Sequence, residues 1–155
     1  PLIFGVAVGN VLQGVPFHFD SDLRPFYTGS FFALLNPFAL LCGLVSLLML
    51  VLHGATWLQI KADGEPAARA RGFGMVAAVV VLVLFAVGGL WVSQIDGYRV
   101  VSDLDPLGPS NPLRKEVVTE AGFWLHNYGR YPLLLLVPAL GFLGAAMALA
   151  GLAWR

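Results

Sequence analysis

Three histidines (His18, His53 and His126), one cysteine (Cys42) and three methionines are the only imidazole and sulfur donors in the chain. No histidine lies four residues from another, so the spacing that sets two imidazoles on one helical face for a metal is missing. A single cysteine excludes an intrachain disulfide and a thiolate cluster of the two-pair kind. His53 is the most informative residue, because it sits about 12 Å of helix rise before Lys61 and thus deep in an apolar run. An ionisable group at that depth is a functional candidate. Cys42, Ser46, Met49, His53 and Thr56 recur at helical spacing and share a face, which is expected to point at protein, with leucines such as Leu44 and Leu48 on the tolerant flank. Two readings of His53 stand: a neutral imidazole bonded to a neighbouring helix, or a proton-carrying group in a water-filled path. The sequence marks no second axial partner that would make it a heme ligand.

The other polar candidates near apolar runs are Asn10, Gln13, Asn36, Ser46 and Asp96. Asn36 before Pro37 reads as a helix cap. Asp96 before Gly97 closes a span, either as a solvated end cap or as a proton group. His18 and His126 fall in loops, where surface roles are expected. There is no nucleophile and base pair, phosphate-binding glycine loop or metal motif.

The elements that must position these groups follow from composition. Of 155 residues 58% are hydrophobic and 12% charged, against about 25% charged in an ordinary soluble domain. Nine basic residues offset nine acidic ones, so there is no positive excess for phosphates and no nucleic-acid partner is expected. A helix needs about 20 apolar residues to cross roughly 30 Å of hydrocarbon. Three full spans are expected at 36–59, 73–94 and 132–154. A partial span at 1–12 reads as the second half of a membrane helix. The chain opens on Pro1 with no charged leader region, so it is read as one membrane-embedded fragment of a larger protein and not as starting with a signal peptide. The fold class is all-α, a polytopic transmembrane helix bundle lying in the lipid bilayer.

Lys61, Arg69 and Arg71 crowd the 61–71 loop, which the positive-inside rule places in the cytoplasm, with loops 13–35 and 97–130 external. Within the latter, Ser110-Asn111-Pro112 supplies a cap signal. Leu113, Val117, Ala121 and Trp124 follow at helical spacing, so a short interfacial helix is expected at 112–126. Phe123, Trp124, Tyr128 and Tyr131 form an aromatic belt beside it. Gly141 with Ala145, Gly144 with Ala148, and Gly74 with Ala78 are small pairs four apart that admit close helix approach.

A more specific reading comes from ordered motifs. Gly9-Asn10-Val11-Leu12-Gln13-Gly14-Val15-Pro16-Phe17, Leu34-Leu35-Asn36-Pro37-Phe38 and His53-Gly54-Ala55 stand in order. Ile95-Asp96-Gly97-Tyr98, Ser110-Asn111-Pro112-Leu113, Lys115-Glu116-Val117-Val118 and Pro138-Ala139-Leu140-Gly141 complete the series. Together they strongly resemble subunit II of the cytochrome bd ubiquinol oxidases, across essentially the whole chain. The resemblance implies an eight-helix subunit of the bacterial inner membrane, of which this chain covers the end of helix four through helix seven. It implies no cofactor in this chain, with b- and d-type hemes and the quinol-oxidising loop in subunit I. It further implies quinol oxidation, reduction of dioxygen to water, protons drawn from the cytoplasm, help from subunit II in proton access, and in some members a structural quinone. The family's best-marked acidic and tryptophan positions lie in the N-terminal helices, so no catalytic residue carries over. His53 stands where some relatives have glutamine, which argues against an obligatory ligand.

From the residues alone, two other classes remain. A transporter or channel segment would need convergent polar groups at midplane, for which Ser46 and His53 are few. A stand-alone enzyme would need its own constellation.

Overall fold

The computed structural model describes residues 1–103, 105, 107, 108 and 115–154. It is built from α1 (Leu2–Gln13), a hairpin of β1 (Phe17–Phe19) and β2 (Pro25–Tyr27), and then α2 (Pro37–Lys61) and α3 (Glu65–Val92). A second hairpin of β3 (Asp96–Val100) and β4 (Val117–Ala121) follows, then the short α4 (His126–Arg130) and α5 (Leu136–Trp154). A 3-10 segment Pro132–Leu135 leads into α5, so three stretches are long and apolar enough to cross a membrane: Pro37–Lys61, Glu65–Val92 and Pro132–Trp154. α1 is apolar but shorter. A helix satisfies its own backbone hydrogen bonds, which is why these residues, apolar on every face, form helices in lipid.

The second full helix begins earlier than expected. A three-residue turn, Ala62 to Gly64, replaces most of the basic loop, and Arg69 and Arg71 lie inside α3. Glu65 and Pro66 open that helix, where an acidic residue meets the positive dipole end and proline loses no bond. Gln59 of α2 donates its amide to the Ala67 carbonyl across the turn.

The expected interfacial helix at 112–126 is corrected over its described part. Val117–Ala121 is a strand paired antiparallel with Asp96–Val100. A 3-10 turn follows at Phe123–Leu125, and helix resumes only at His126. Residues 110 to 114, with the cap signal, lie outside the described residues. Val117, Val118 and Thr119 are β-branched and favour the strand once a partner is available. Gly122 then turns the chain with φ 72°, where a Cβ would come 2.6 Å from the Ser93 carbonyl oxygen.

Packing runs α1 on α2, α2 on α3, and α3 on α5, with α5 also touching α2. Lipid gives helices no hydrophobic reason to associate, so close contact between backbones has to do it. A Cβ on Gly5 would lie 2.4 Å from the Cys42 carbonyl oxygen, and one on Gly9 2.7 Å from Ala39 Cα. Gly43 faces them from α2, with Leu2 O and Val6 Cγ2 both 2.9 Å from its would-be Cβ. At the other end of the bundle Leu52, Ala77, Ala78 and Leu152 form the core, with Leu48, Met75, Ala148 and Leu149 against it. Gly74 sits in this seam, its would-be Cβ 2.8 Å from Ala55 Cβ and 2.7 Å from Leu152 Cδ1.

Two glycine substitutions should therefore shift stability in opposite directions. Gly9→Ala should destabilise the subunit by about 1–3 kcal/mol through overpacking. Gly54→Ala, which meets nothing within 4 Å, should gain up to about 1 kcal/mol of helix propensity. Unfolding midpoints of the two variants in detergent check the split.

Candidate functional site

Two regions gather the polar candidates. The first is a carboxamide cluster at the hairpin end of α1 and α2. Asn10 is 8% exposed, the one buried polar residue among those described. Its Nδ2 donates to the Val6 carbonyl at 2.9 Å and to the Leu34 carbonyl at 2.7 Å. Its Oδ1 accepts from Asn36 Nδ2 at 3.2 Å. Asn36 Oδ1 in turn accepts from Ala39 N at 2.9 Å, so it caps α2 as its position before Pro37 requires. Gln13, the last residue of α1, carries a buried Oε1 with no protein partner. Next to it the second hairpin docks: Trp124 Nε1 donates to the Leu12 carbonyl at 3.1 Å. Tyr98 stands edge-on to Trp124, with its hydroxyl against Gly14. Carboxamides and an indole exchange no protons at ordinary pH, so this cluster fastens and orients.

The second region is the polar face of α2. Cys42 packs on α1, with its Sγ 3.2 Å from a Cβ placed at Gly9. Ser46 Oγ donates to the Pro1 carbonyl at 3.0 Å, so these two members of the stripe meet α1. Farther along the same face, Met49, His53 and Thr56 line an apolar cleft of about 460 Å³ between α2, α3 and α5. Thr56 Oγ1 donates to the His53 carbonyl at 2.8 Å within the helix. The far wall is Leu140, Gly141, Gly144, Ala145 and Ala148 of α5, and His53 is the only lining residue that can carry a proton. A larger apolar groove of about 1020 Å³ continues it toward the hairpin end, sharing Met49 and Phe85.

The structure thus divides the stripe between two neighbours. One expectation about its flank fails: Leu48 is half-buried against the Leu52 and Ala77 core, whereas Leu44 is exposed. The small pairs of α5 are also divided. Ala148 packs on the core and a Cβ on Gly141 would lie 3.2 Å from the Phe85 ring, while one on Gly144 would meet nothing within 4 Å. Asp96 opens β3 as an exposed residue opposite Ala121, away from the cleft. His18 of β1 stacks on Phe26 of β2, and His126, which opens α4, stacks on Phe123.

Sequence reasoning overlooked Gly5 and Gly9, although their spacing of four was legible. It also overlooked Arg71, whose Nη2 donates to the Ala153 carbonyl at 2.9 Å and binds α3 to the end of α5. No local pattern announces a contact between residues 82 apart. Among the described residues, no three His, Cys, Asp or Glu side chains gather in a set that could hold a metal.

Known proteins place this architecture. The chain is 50% identical over 146 residues to the "Probable cytochrome oxidase subunit 2" of Haemophilus influenzae, covering 94% of this chain and 39% of that protein. It is 56% identical over 142 residues to the "Cytochrome bd-I ubiquinol oxidase subunit 2" of Escherichia coli K12, covering 91% and 38%. The chain therefore spans about two fifths of the length of these relatives. The sequence profile of the family described as "Cytochrome bd terminal oxidase subunit II" matches residues 1–155. Matched from end to end, this helix bundle belongs to the cytochrome bd terminal oxidase subunit II family.

Proposed function

We propose that the chain is the transmembrane scaffold of subunit II in a quinol:dioxygen oxidoreductase of the bacterial inner membrane. In this reading it binds no heme itself and packs against a subunit I that carries the b- and d-type hemes and performs the chemistry. The family match supports the complex. The observation that carries the scaffold role is how the polar groups are used. Asn10, Asn36 and Trp124 all bond to backbone or to each other across segments, which positions helices without using an acid or a base. The exposed apolar surface left on α5, where Leu152 is the one buried residue, supplies area for lipid and for protein neighbours.

Two finer roles belong to the cleft. His53 is the group proposed to assist proton access from the cytoplasmic side, since a titratable imidazole there can pass a proton that its apolar neighbours cannot. A structural quinone fits the same region chemically. The groove walls at Leu41, Val45 and Phe85 suit an isoprenoid chain, and His53 supplies a hydrogen bond to the ring. The α2–α3 turn is assigned to the cytoplasm and both hairpins to the outside.

Full-length subunit II made without its partner should show no stoichiometric Soret band, whereas tagged subunit II co-produced with subunit I should retain the hemes and oxidise quinol. A Soret band from the lone subunit overturns the reading. His53→Leu should slow oxygen consumption with heme spectra intact, and unchanged turnover removes His53 from the proton path. For sidedness, Leu107→Cys should react with an impermeant maleimide in intact cells and Asp63→Cys should not.

A further inference from the structure

The chain carries two Asp-Gly dipeptides, Asp63-Gly64 and Asp96-Gly97. An aspartyl carboxyl that precedes glycine is open to attack by the glycine's own amide nitrogen, because no Cβ shields that nitrogen and glycine tolerates the backbone angles the attack needs. What holds the nitrogen decides whether the attack takes place.

At Asp96-Gly97 the nitrogen is held. β3 and β4 are bonded from Gly122 N to the Ile95 carbonyl and from Val101 N to the Glu116 carbonyl. Bonded and non-bonded pairs alternate along an antiparallel ladder, so Gly97, opposite Glu120, falls at a bonded pair with its N–H engaged. Gly97 is also buried, and a Cβ on it would lie 2.7 Å from Trp124 N.

At Asp63-Gly64 neither reacting group is held. The dipeptide closes the turn between α2 and α3. Ala62 N donates to the Leu58 carbonyl and Ala68 N to the Gly64 carbonyl, while the Gly64 N–H finds no acceptor among the described residues. No side chain caps α3. Two of the cations nearby are turned elsewhere: Lys61 Nζ lies over the Trp57 ring at 5.5 Å, and Arg71 bonds the Ala153 carbonyl. Among the described residues the ion pairs are Arg24 with Asp22 and Arg99 with Glu120, so the Asp63 carboxylate stands outside them. Asp63 is exposed, Gly64 has φ 70°, and a Cβ on Gly64 would meet nothing within 4 Å.

We propose that Asp63-Gly64 is a site of spontaneous aspartyl isomerisation. Gly64 N bonds to Asp63 Cγ, and the carboxyl hydroxyl leaves with the amide proton as water, closing a succinimide ring. Water then opens the ring at the former main-chain carbonyl. The chain afterwards runs through Asp63 Cβ and Cγ, and the α-carboxylate is left as the side group. No electrons are exchanged and no co-reactant besides water takes part. The product lengthens the α2–α3 turn by one backbone carbon, at the place where Gln59 reaches across it to the Ala67 carbonyl.

The test ages the full-length subunit in its assembled complex at mildly acidic pH and growth temperature, with an unaged sample as baseline and denatured subunit aged in parallel. Peptides from timed samples are separated, and the isoaspartyl form at each dipeptide is identified by electron-transfer fragmentation. In the complex, isoaspartate should accumulate at position 63 several times faster than at position 96. In the denatured subunit the two rates should converge, since the ladder that holds Gly97 is lost. A rate at 63 no higher than at 96 in the complex overturns the proposal. A difference that persists undiminished in the denatured subunit also overturns it, because the flanking residues and not the fold would then set the rates.

Discussion

A carbonyl that leaves regular structure at the edge of a hydrocarbon layer has no water to bond, and an unsatisfied one costs several kcal/mol. At the hairpin end of this bundle the Leu34 carbonyl lies in the 3-10 turn that leads into α2, and the Asn10 carboxamide satisfies it. Because the same side chain accepts from Asn36, and Asn36 caps α2, one amide couples the end of α1, the incoming turn and the start of the longest connected pair of helices. The register between α1 and α2 follows from it. Only when Asn10 reaches Leu34 do Gly5 and Gly9 come opposite Ala39 and Gly43, at backbone distances where dispersion can hold the helices without a hydrophobic drive.

The rest of the bundle is arranged by the opposite choice of side chains. Where α5 meets α3 and α2 near the α2–α3 turn, Ala77, Ala78 and Gly74 allow Leu152 to enter and close the seam. Toward the hairpin end, Phe85 and Phe142 stand ring to ring at 4.9 Å and hold the helices apart. The cleft that receives Met49 and His53 is thus a product of ring size: small residues bring α5 in, aromatic ones prop it out.

Much of this was legible in the sequence because the signals were compositional and long. Uncharged runs of twenty or more residues define spans without reference to anything else, and Asn36-Pro37 is a cap wherever it occurs. The basic loop was less legible, since Arg69 and Arg71 read as loop residues by charge although they stand in the second turn of α3. The strand at Val117–Ala121 was misread for a different reason. Val117, Ala121 and Trp124 satisfy a helical period, and a five-residue run carries too few positions to separate the two periods. Its partner, Asp96–Val100, decided the outcome from outside the window. At the site, Asn10, Asn36 and His53 stand out in the sequence as polar positions, but their division into a fastening and an open cleft depends on which neighbours face them, and one chain read alone does not contain that. The docking of Trp124 on Leu12 is of the same kind, a bond across 112 residues.

The attachment of α5 has a mechanical side. Arg71 grips the Ala153 carbonyl, and Leu152 is wedged among Leu52, Ala77 and Ala78, so one end of the helix is clamped from two directions. Beyond that clamp none of its residues is buried. A rod clamped at its root and braced by Phe142 against the Phe85 ring at 4.9 Å still turns a small rotation at the root into a larger displacement at its tip. Over the 19 residues of α5, about 28 Å of rise, a tilt of a few degrees carries the Leu136 end more than an ångström sideways. The width of the cleft at His53 is consequently tied to the angle of a single helix, which the clamp at its root and the Phe142 ring set together.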